Sequence, residues 1–277
     1  MLCTSCGVLV GVNDDKCYNC GRRNPALWGF APALRALGGD LGLVTFIIAA
    51  CVIVYGLTLV RSMLIGAGID TSGLFSFGGP ALVVWGEFGA SGVIPVYGYG
   101  RWWTVLSAGW IHAGIIHIFF NMNALRQLGP AIADLYGPGR MVIIYTAGSV
   151  AGFTLSTLAG RYMPALPLLG AGGITAGASA AIAGLIGALW HYGQRGGSSM
   201  AQNAARQFVI YMIVIGFAGG IDNWAHGGGF AGGYLMSRLL DPLKQERTDH
   251  VLIAIICLVV SLGAVVVSFF MPLVPAR

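Results

Sequence analysis

The sequence predicts an all-α protein that crosses a membrane several times, preceded by a small cysteine-bearing segment. Three observations predict it. Of the 277 residues, 56% are apolar and only 9% charged, with a mean hydropathy of +0.78; soluble domains are nearer a quarter charged. Apolar runs of about 20 residues, enough to cross the hydrocarbon core, recur along the chain. The 44 glycines suit helices that pack closely in lipid, where small residues replace the missing hydrophobic drive. A net charge of +5 is scattered between the apolar runs without a basic aromatic patch, which argues against nucleic-acid binding.

The chain begins with a polar stretch that carries Cys3, Cys6, Cys17 and Cys20 as C-x2-C, ten residues, C-x2-C, with Gly7 and Gly21 after each pair. Two such knuckles offer four thiolates to one tetrahedral zinc, a structural zinc ribbon over residues 1–25 in a reducing compartment. Two disulfides or an unstructured cysteine-rich tail are the alternatives. Cys51 and Cys257 lie in apolar runs and read as packing residues. No apolar stretch with a cleavage site opens the chain, so the first span is expected to act as its own insertion signal.

A linker over 26–41 leads to seven candidate spans: 42–62, 103–125, 141–160, 171–191, 207–221, 224–240 and 251–271. The fifth and sixth are short and separated only by Asp222 and Asn223. Basic residues orient them. With the ribbon in the cytoplasm, Lys16, Arg22, Arg23, Arg35, Arg126, Arg140, Arg195, Arg206, Arg238, Lys244 and Arg247 lie inside, and Arg61, Arg101, Arg161 and Arg277 outside. The N-terminus is then cytoplasmic and the C-terminus outside. The outer connection 63–102 carries Phe75, Phe77, Trp85, Phe88 and Trp102, with Trp103 just after it, and is expected to lie in the membrane interface.

Polar groups at membrane depth are expensive and are functional candidates. Spans two, four and six all run inward from the outside. They bring His112, His117 and Asn121, then Ser179, then His226 toward one leaflet. His117 and Asn121, four apart, share a helix face, whereas His112 and His117 fall about 140° apart on a continuous helix. No carboxylate accompanies the histidines, which disfavours a metal site among them. Gly229 and Gly233 with Ala180, Ala183, Gly184 and Gly187 give spans six and four small faces, which could bring His226 within hydrogen-bond reach of Ser179.

A serine hydroxyl needs a base to become a nucleophile, and its tetrahedral intermediate needs donors for an oxyanion. His226 can be the base; His117, the Asn121 amide and the Ser179 N–H can be the donors. Each residue alone has an ordinary explanation, since membrane serines back-bond and single histidines bridge helices. The five together do not. Ser91, in Gly89-Ala90-Ser91-Gly92, mimics the same pattern but lies in the outer connection without a partner in fixed relation, and is assigned to loop structure.

The motifs Trp102-Trp103, His112-x4-His117-x3-Asn121, Gly177-x-Ser179 and Ala225-His226-x2-Gly229-x3-Gly233 resemble the rhomboid family of intramembrane serine proteases. The resemblance covers spans two to six and implies a six-helix core over 42–240 with a cavity open to the outer side. The helix over 251–271 is then an additional seventh. It implies Ser179 as nucleophile, His226 as general base, His117 and Asn121 as oxyanion donors and a structural role for His112. It implies membrane-spanning protein substrates and no catalytic cofactor. Three residues depart from the family pattern: Thr104 stands where an arginine commonly follows the tryptophans, Ala180 where glycine is commoner, and Ala183 where an aromatic often stacks on the base. Arg101 is then a candidate for the missing anchoring charge. The alternative function is a catalytically silent relative that binds membrane proteins for quality control, although such relatives normally lack the serine or the histidine. A transporter or channel would predict inverted repeats or broken helices with carboxylates, which the sequence does not display convincingly.

Overall fold

The computed structural model describes residues 3–11, 14–26, 38–164, 170, 173–217, 221–271 and 273. Most of the expected linker, residues 27–37, lies outside them, as do Arg35 and Arg277. The body is helical. Its elements are α1 (Leu43–Leu64), a two-stranded hairpin of β1 (Ile69–Asp70) and β2 (Gly79–Pro80), α2 (Leu82–Phe88), a wide turn over Ile94–Gly98 and α3 (Thr104–Ser107) with a tight turn over Ala108–Trp110. Then come α4 (Ile115–Tyr136), α5 (Pro138–Tyr162), α6 (Ser179–Arg195), α7 (Ser199–Gly216), α8 (Asn223–Leu239) and α9 (Thr248–Phe270).

Length and composition let α1, α5 and α9 each cross a membrane, and a fourth path is formed if α3 and α4, bent by 92°, count as one. Half or more of α1 and α9 faces outward with large apolar side chains such as Ile53, Val60, Leu252 and Val259, as lipid requires. The centre is built from α5, α6 and α8, which meet backbone to backbone. A Cβ on Gly184 of α6 would lie 2.9 Å from the Gly148 Cα of α5, and one on Gly233 of α8 would land on the Gly184 carbonyl oxygen. α4 packs on α6 and α5, α1 on α4, α7 on α6 and α9 on α5.

Several helix boundaries differ from the expected spans: α4 runs on to Tyr136 rather than 125, and α7 covers Ser199–Gly216 rather than 207–221. The second span does not run straight from 103. It breaks at Ile111–Gly114, and α4 starts at Ile115. The reason is a crossing: a Cβ on Gly114 would lie 2.6 Å from the carbonyl oxygens of Phe75 and Phe77, so glycine admits the hairpin connection there. The helix expected from 171 begins at Ser179, because the chain from 173 to 177 is hydrogen-bonded to residues of the 63–102 connection and to Ala108 instead. That connection is itself folded, and Phe88 is buried edge-on against Phe269 at 5.2 Å.

Candidate active site and cysteine cluster

Ser179 is the first residue of α6, after Ala178, whose side chain caps nothing. The first N–H groups of a helix lack intrahelical acceptors, so uncapped donors surround this hydroxyl. α8 starts from Asp222, whose carboxylate accepts the Ala225 N–H at 2.9 Å and a hydroxyl bond from Ser156 of α5. That cap sets His226 in the first turn of α8. Its Nε2 lies 2.9 Å from Ser179 Oγ. The glycine spacing makes the approach possible, since a Cβ on Gly229 would collide with the Ala180 carbonyl oxygen.

His117 and Asn121 occupy successive turns of α4 on the other side of the serine. Gly177 has a φ of +133°, where other residues are strained, and a Cβ there would lie 2.7 Å from His117 Nε2 and 3.7 Å from Asn121 Nδ2. His117 Nδ1 accepts the Ala113 N–H at 3.2 Å, so the neutral ring carries its proton on Nε2 and offers a donor beside Gly177. Asn121 Nδ2 is buried without an acceptor among the described residues. His112 precedes α4, and its Nε2 accepts the Ala178 N–H at 3.4 Å. The break before α4 overturns the 140° argument: the His112 and His117 rings are 5.4 Å apart, and both face the serine segment. His226 Nδ1 has no protein partner, so the pair has no third orienting group among the described residues.

A cavity of about 430 Å³ opens on Ser179, His226, His117 and Asn121 and continues along apolar side chains of α4, α6 and α7, among them Phe120, Ile182, Ile186, Phe208 and Met212. Asp222 and Thr175 add polar walls that the sequence reading missed. Asp222 was signalled by its place three residues before Ala225, the spacing of a helix cap. Neither Ala180 nor Ala183 lines the cavity; both are buried among the helices. Thr104 is buried and donates to the Arg101 carbonyl at 2.8 Å, while Arg101 is the buried cation of the connection. Ser91 does have a fixed partner, contrary to expectation: its backbone exchanges two hydrogen bonds with Thr175, at 2.9 and 2.7 Å. It does not line the cavity.

The four N-terminal cysteines form a second cluster. Gly7 and Gly21, at φ +72° and +70°, donate to the carbonyls of Cys3 and Cys17 at 2.9 Å each, closing the two knuckles. Backbone bridges join Cys3 to Ala26 and Lys16 to Arg23. All four sulfurs lie within 4.8 Å of one another, with Cys3–Cys20 at 3.7 Å and Cys6–Cys17 at 3.6 Å. A tetrahedral zinc with bonds of about 2.3 Å needs sulfur separations of about 3.8 Å, so these residues fit one metal ion. The Val8 N–H and the Asn19 side chain hold the Cys6 thiol down to about 6. Cys20 gains from the Arg22 N–H, but Cys6, burial and the other two sulfurs push it up to about 11.

The Rhomboid domain family matches residues 99–242. The chain is 30% identical over 169 residues to Rhomboid protease GluP of Bacillus subtilis (strain 168), covering 59% of this chain and 31% of that protein. It is 32% identical over 163 residues to RHOMBOID-like protein 1 of Arabidopsis thaliana, covering 57% and 39%. It is also 30% identical over 140 residues to Inactive RHOMBOID-like protein 8 of the same plant, covering 46% and 35%. The match thus spans well under half the length of these relatives. With His112, His117, Asn121, Ser179 and His226 all inside the matched region, this chain belongs to the rhomboid family of integral membrane proteins.

Proposed function

We propose that the chain is an intramembrane serine endopeptidase that cleaves single-span or multi-span membrane proteins in or near their spanning segment. The observation that carries this reading is the 2.9 Å contact between His226 Nε2 and Ser179 Oγ on the wall of an apolar cavity. Ser179 Oγ attacks the scissile carbonyl carbon while His226 Nε2 takes its proton. The oxygen of the tetrahedral intermediate gains a negative charge, which Asn121 Nδ2, His117 Nε2–H and the Ser179 N–H receive. As the intermediate collapses, His226 returns the proton to the leaving amine, and an acyl-serine remains. A water molecule, deprotonated by the same imidazole, then releases the acid and restores the hydroxyl. His112, bonded to the Ala178 N–H, steadies the start of α6, and Gly177, Gly229 and Gly233 keep the site's backbones close.

In this reading residues 42–240 are the protease core, 251–271 an added helix, and 1–25 a zinc ribbon that takes no part in the chemistry. The membrane in this reading is the plasma membrane of a bacterium, and the charge distribution supports a cytoplasmic N-terminus and a C-terminus outside. The test is labelling of the purified protein by a serine-directed fluorophosphonate, with cleavage of a model single-span substrate. Ser179→Ala and His226→Ala should each abolish both. Ser91→Ala should keep both, since its link to Thr175 runs through the backbone. Undiminished cleavage by Ser179→Ala would sink the assignment. The similarity to a protein named as inactive favours a second reading, a silent relative that binds membrane proteins; absence of any label on wild type would decide for it.

A further inference from the structure

The stretch that delivers Ser179 hangs from the preceding connection by alternate residues. The Ile94 N–H donates to the Gly173 carbonyl at 2.9 Å, Ser91 and Thr175 exchange two bonds, and the Gly177 N–H donates to the Ala108 carbonyl at 3.0 Å. The connection itself has only two-residue strands, a seven-residue α2 and a four-residue α3 to stiffen it. It is fastened instead to the last turn of α9. Arg101, 2% exposed, donates to the carbonyls of Gly86 at 2.7 Å, Ser268 at 3.0 Å and Met271. Two of these are C-terminal helix carbonyls, which have no intrahelical donor and carry the negative end of the dipole. Trp103 Nε1 donates to Ser268 Oγ at 3.0 Å. Gly89, at φ +98°, passes so close that a Cβ would lie 2.9 Å from Ser268 Cβ.

These contacts form one path: Ser268 of α9, then Gly89 and Arg101, then Ser91 and Ala108, then Thr175 and Gly177, then Ser179. We propose that the end of α9 is a strut for the candidate nucleophile, with Arg101 as its positioning residue and Ser268 as its footing. The proposal rests on the reading of Ser179 as the nucleophile. Displacing the last turn of α9 slackens the 173–177 stretch and lets the Ser179 hydroxyl drift from His226. Turnover then falls while substrate binding, which uses the cavity along α4, α6 and α7, changes little. A helix outside the region matched by the family thereby becomes a place from which activity can be adjusted.

The experiment uses the full chain in detergent or vesicles. Ser268→Val pushes bulk against Gly89 and leaves Arg101 intact; Arg101→Gln removes the cation, and Arg101→Lys restores it. Val259→Ala, at a position of α9 that is 64% exposed, is the control. Amide hydrogen exchange over 173–177 should speed up roughly ten-fold in Ser268→Val and Arg101→Gln, with α5 and α8 unchanged. Fluorophosphonate labelling of Ser179 and kcat should fall roughly ten- to a hundred-fold with KM within about two-fold, since small misplacements of reacting atoms cost that much. Arg101→Lys should recover part of both. Unchanged exchange over 173–177 in Ser268→Val, whatever its melting temperature, would overturn the strut. A wild-type protein that takes no label would instead strike down Ser179 as nucleophile, and the exchange measurement would then decide the strut by itself.

Discussion

Asn121 shows what a single buried polar group can reveal. Its amide nitrogen has no acceptor among the described residues, a state that costs a folded protein about 1–3 kcal/mol. On the proposed mechanism this donor serves a charge that appears only during reaction. Removing it with Asn121→Ala should therefore lower kcat by about 10²–10³-fold, the usual loss for one oxyanion donor, without lowering the melting temperature. Full kcat in that variant would remove Asn121 from the site. His117 and Asn121 were legible in the sequence because they lie four apart on one continuous helix. The relation of His112 to His117 was not legible, because the helix that sets the 100° step begins only at Ile115. Asp222 was passed over because a carboxylate that caps a helix looks, in sequence, like a boundary between spans.

At the scale of elements, the core is set by where glycine lets backbones touch. Gly233 and Gly229 of α8 lean on α6, and Gly148 and Gly152 of α5 meet Gly184 and Ala180. Gly233→Val would force a branched side chain into the Gly184 backbone. It should destabilise the folded protein by about 1–3 kcal/mol or more, measured by unfolding in mild detergent, and should lower labelling of Ser179 by moving α8. Gly263→Ala on α9, where an added Cβ meets nothing within 4 Å, should leave stability within about 0.5 kcal/mol. Equal effects of the two would contradict the packing argument. The G-x-x-x-G of α8 and the small face of α6 were readable as close-packing surfaces. The start of α6 was not, because an apolar run continues upstream of Ser179, and its hydrogen bonds to Ser91, Ile94 and Ala108 come from residues distant in sequence.

For the whole molecule, the proposed reading gives the cysteine cluster no part in the chemistry at Ser179. Among the described residues, none of the ribbon lines the cavity at Ser179. Metal analysis of the full chain should find about one zinc, and a strong chelator should remove it and unfold the segment around Cys3 to Cys20. Labelling of Ser179 should survive that treatment. Loss of labelling in step with zinc would show instead that the ribbon supports the site. The ribbon was plain in the sequence, since two C-x2-C-G knuckles carry their own turn geometry and need nothing from the rest of the chain. The same holds for the membrane class, which follows from composition, and for the family, which follows from motifs in order. The tertiary structure decided the rest: that Ser179 stands at a helix start 2.9 Å from His226, that His112 turns toward the site, and that Arg101 binds the outer connection to the end of α9. Short-range patterns carry local periodicity and turn chemistry. Where a helix begins, and which distant carbonyl a buried arginine meets, depend on contacts between residues up to 170 positions apart.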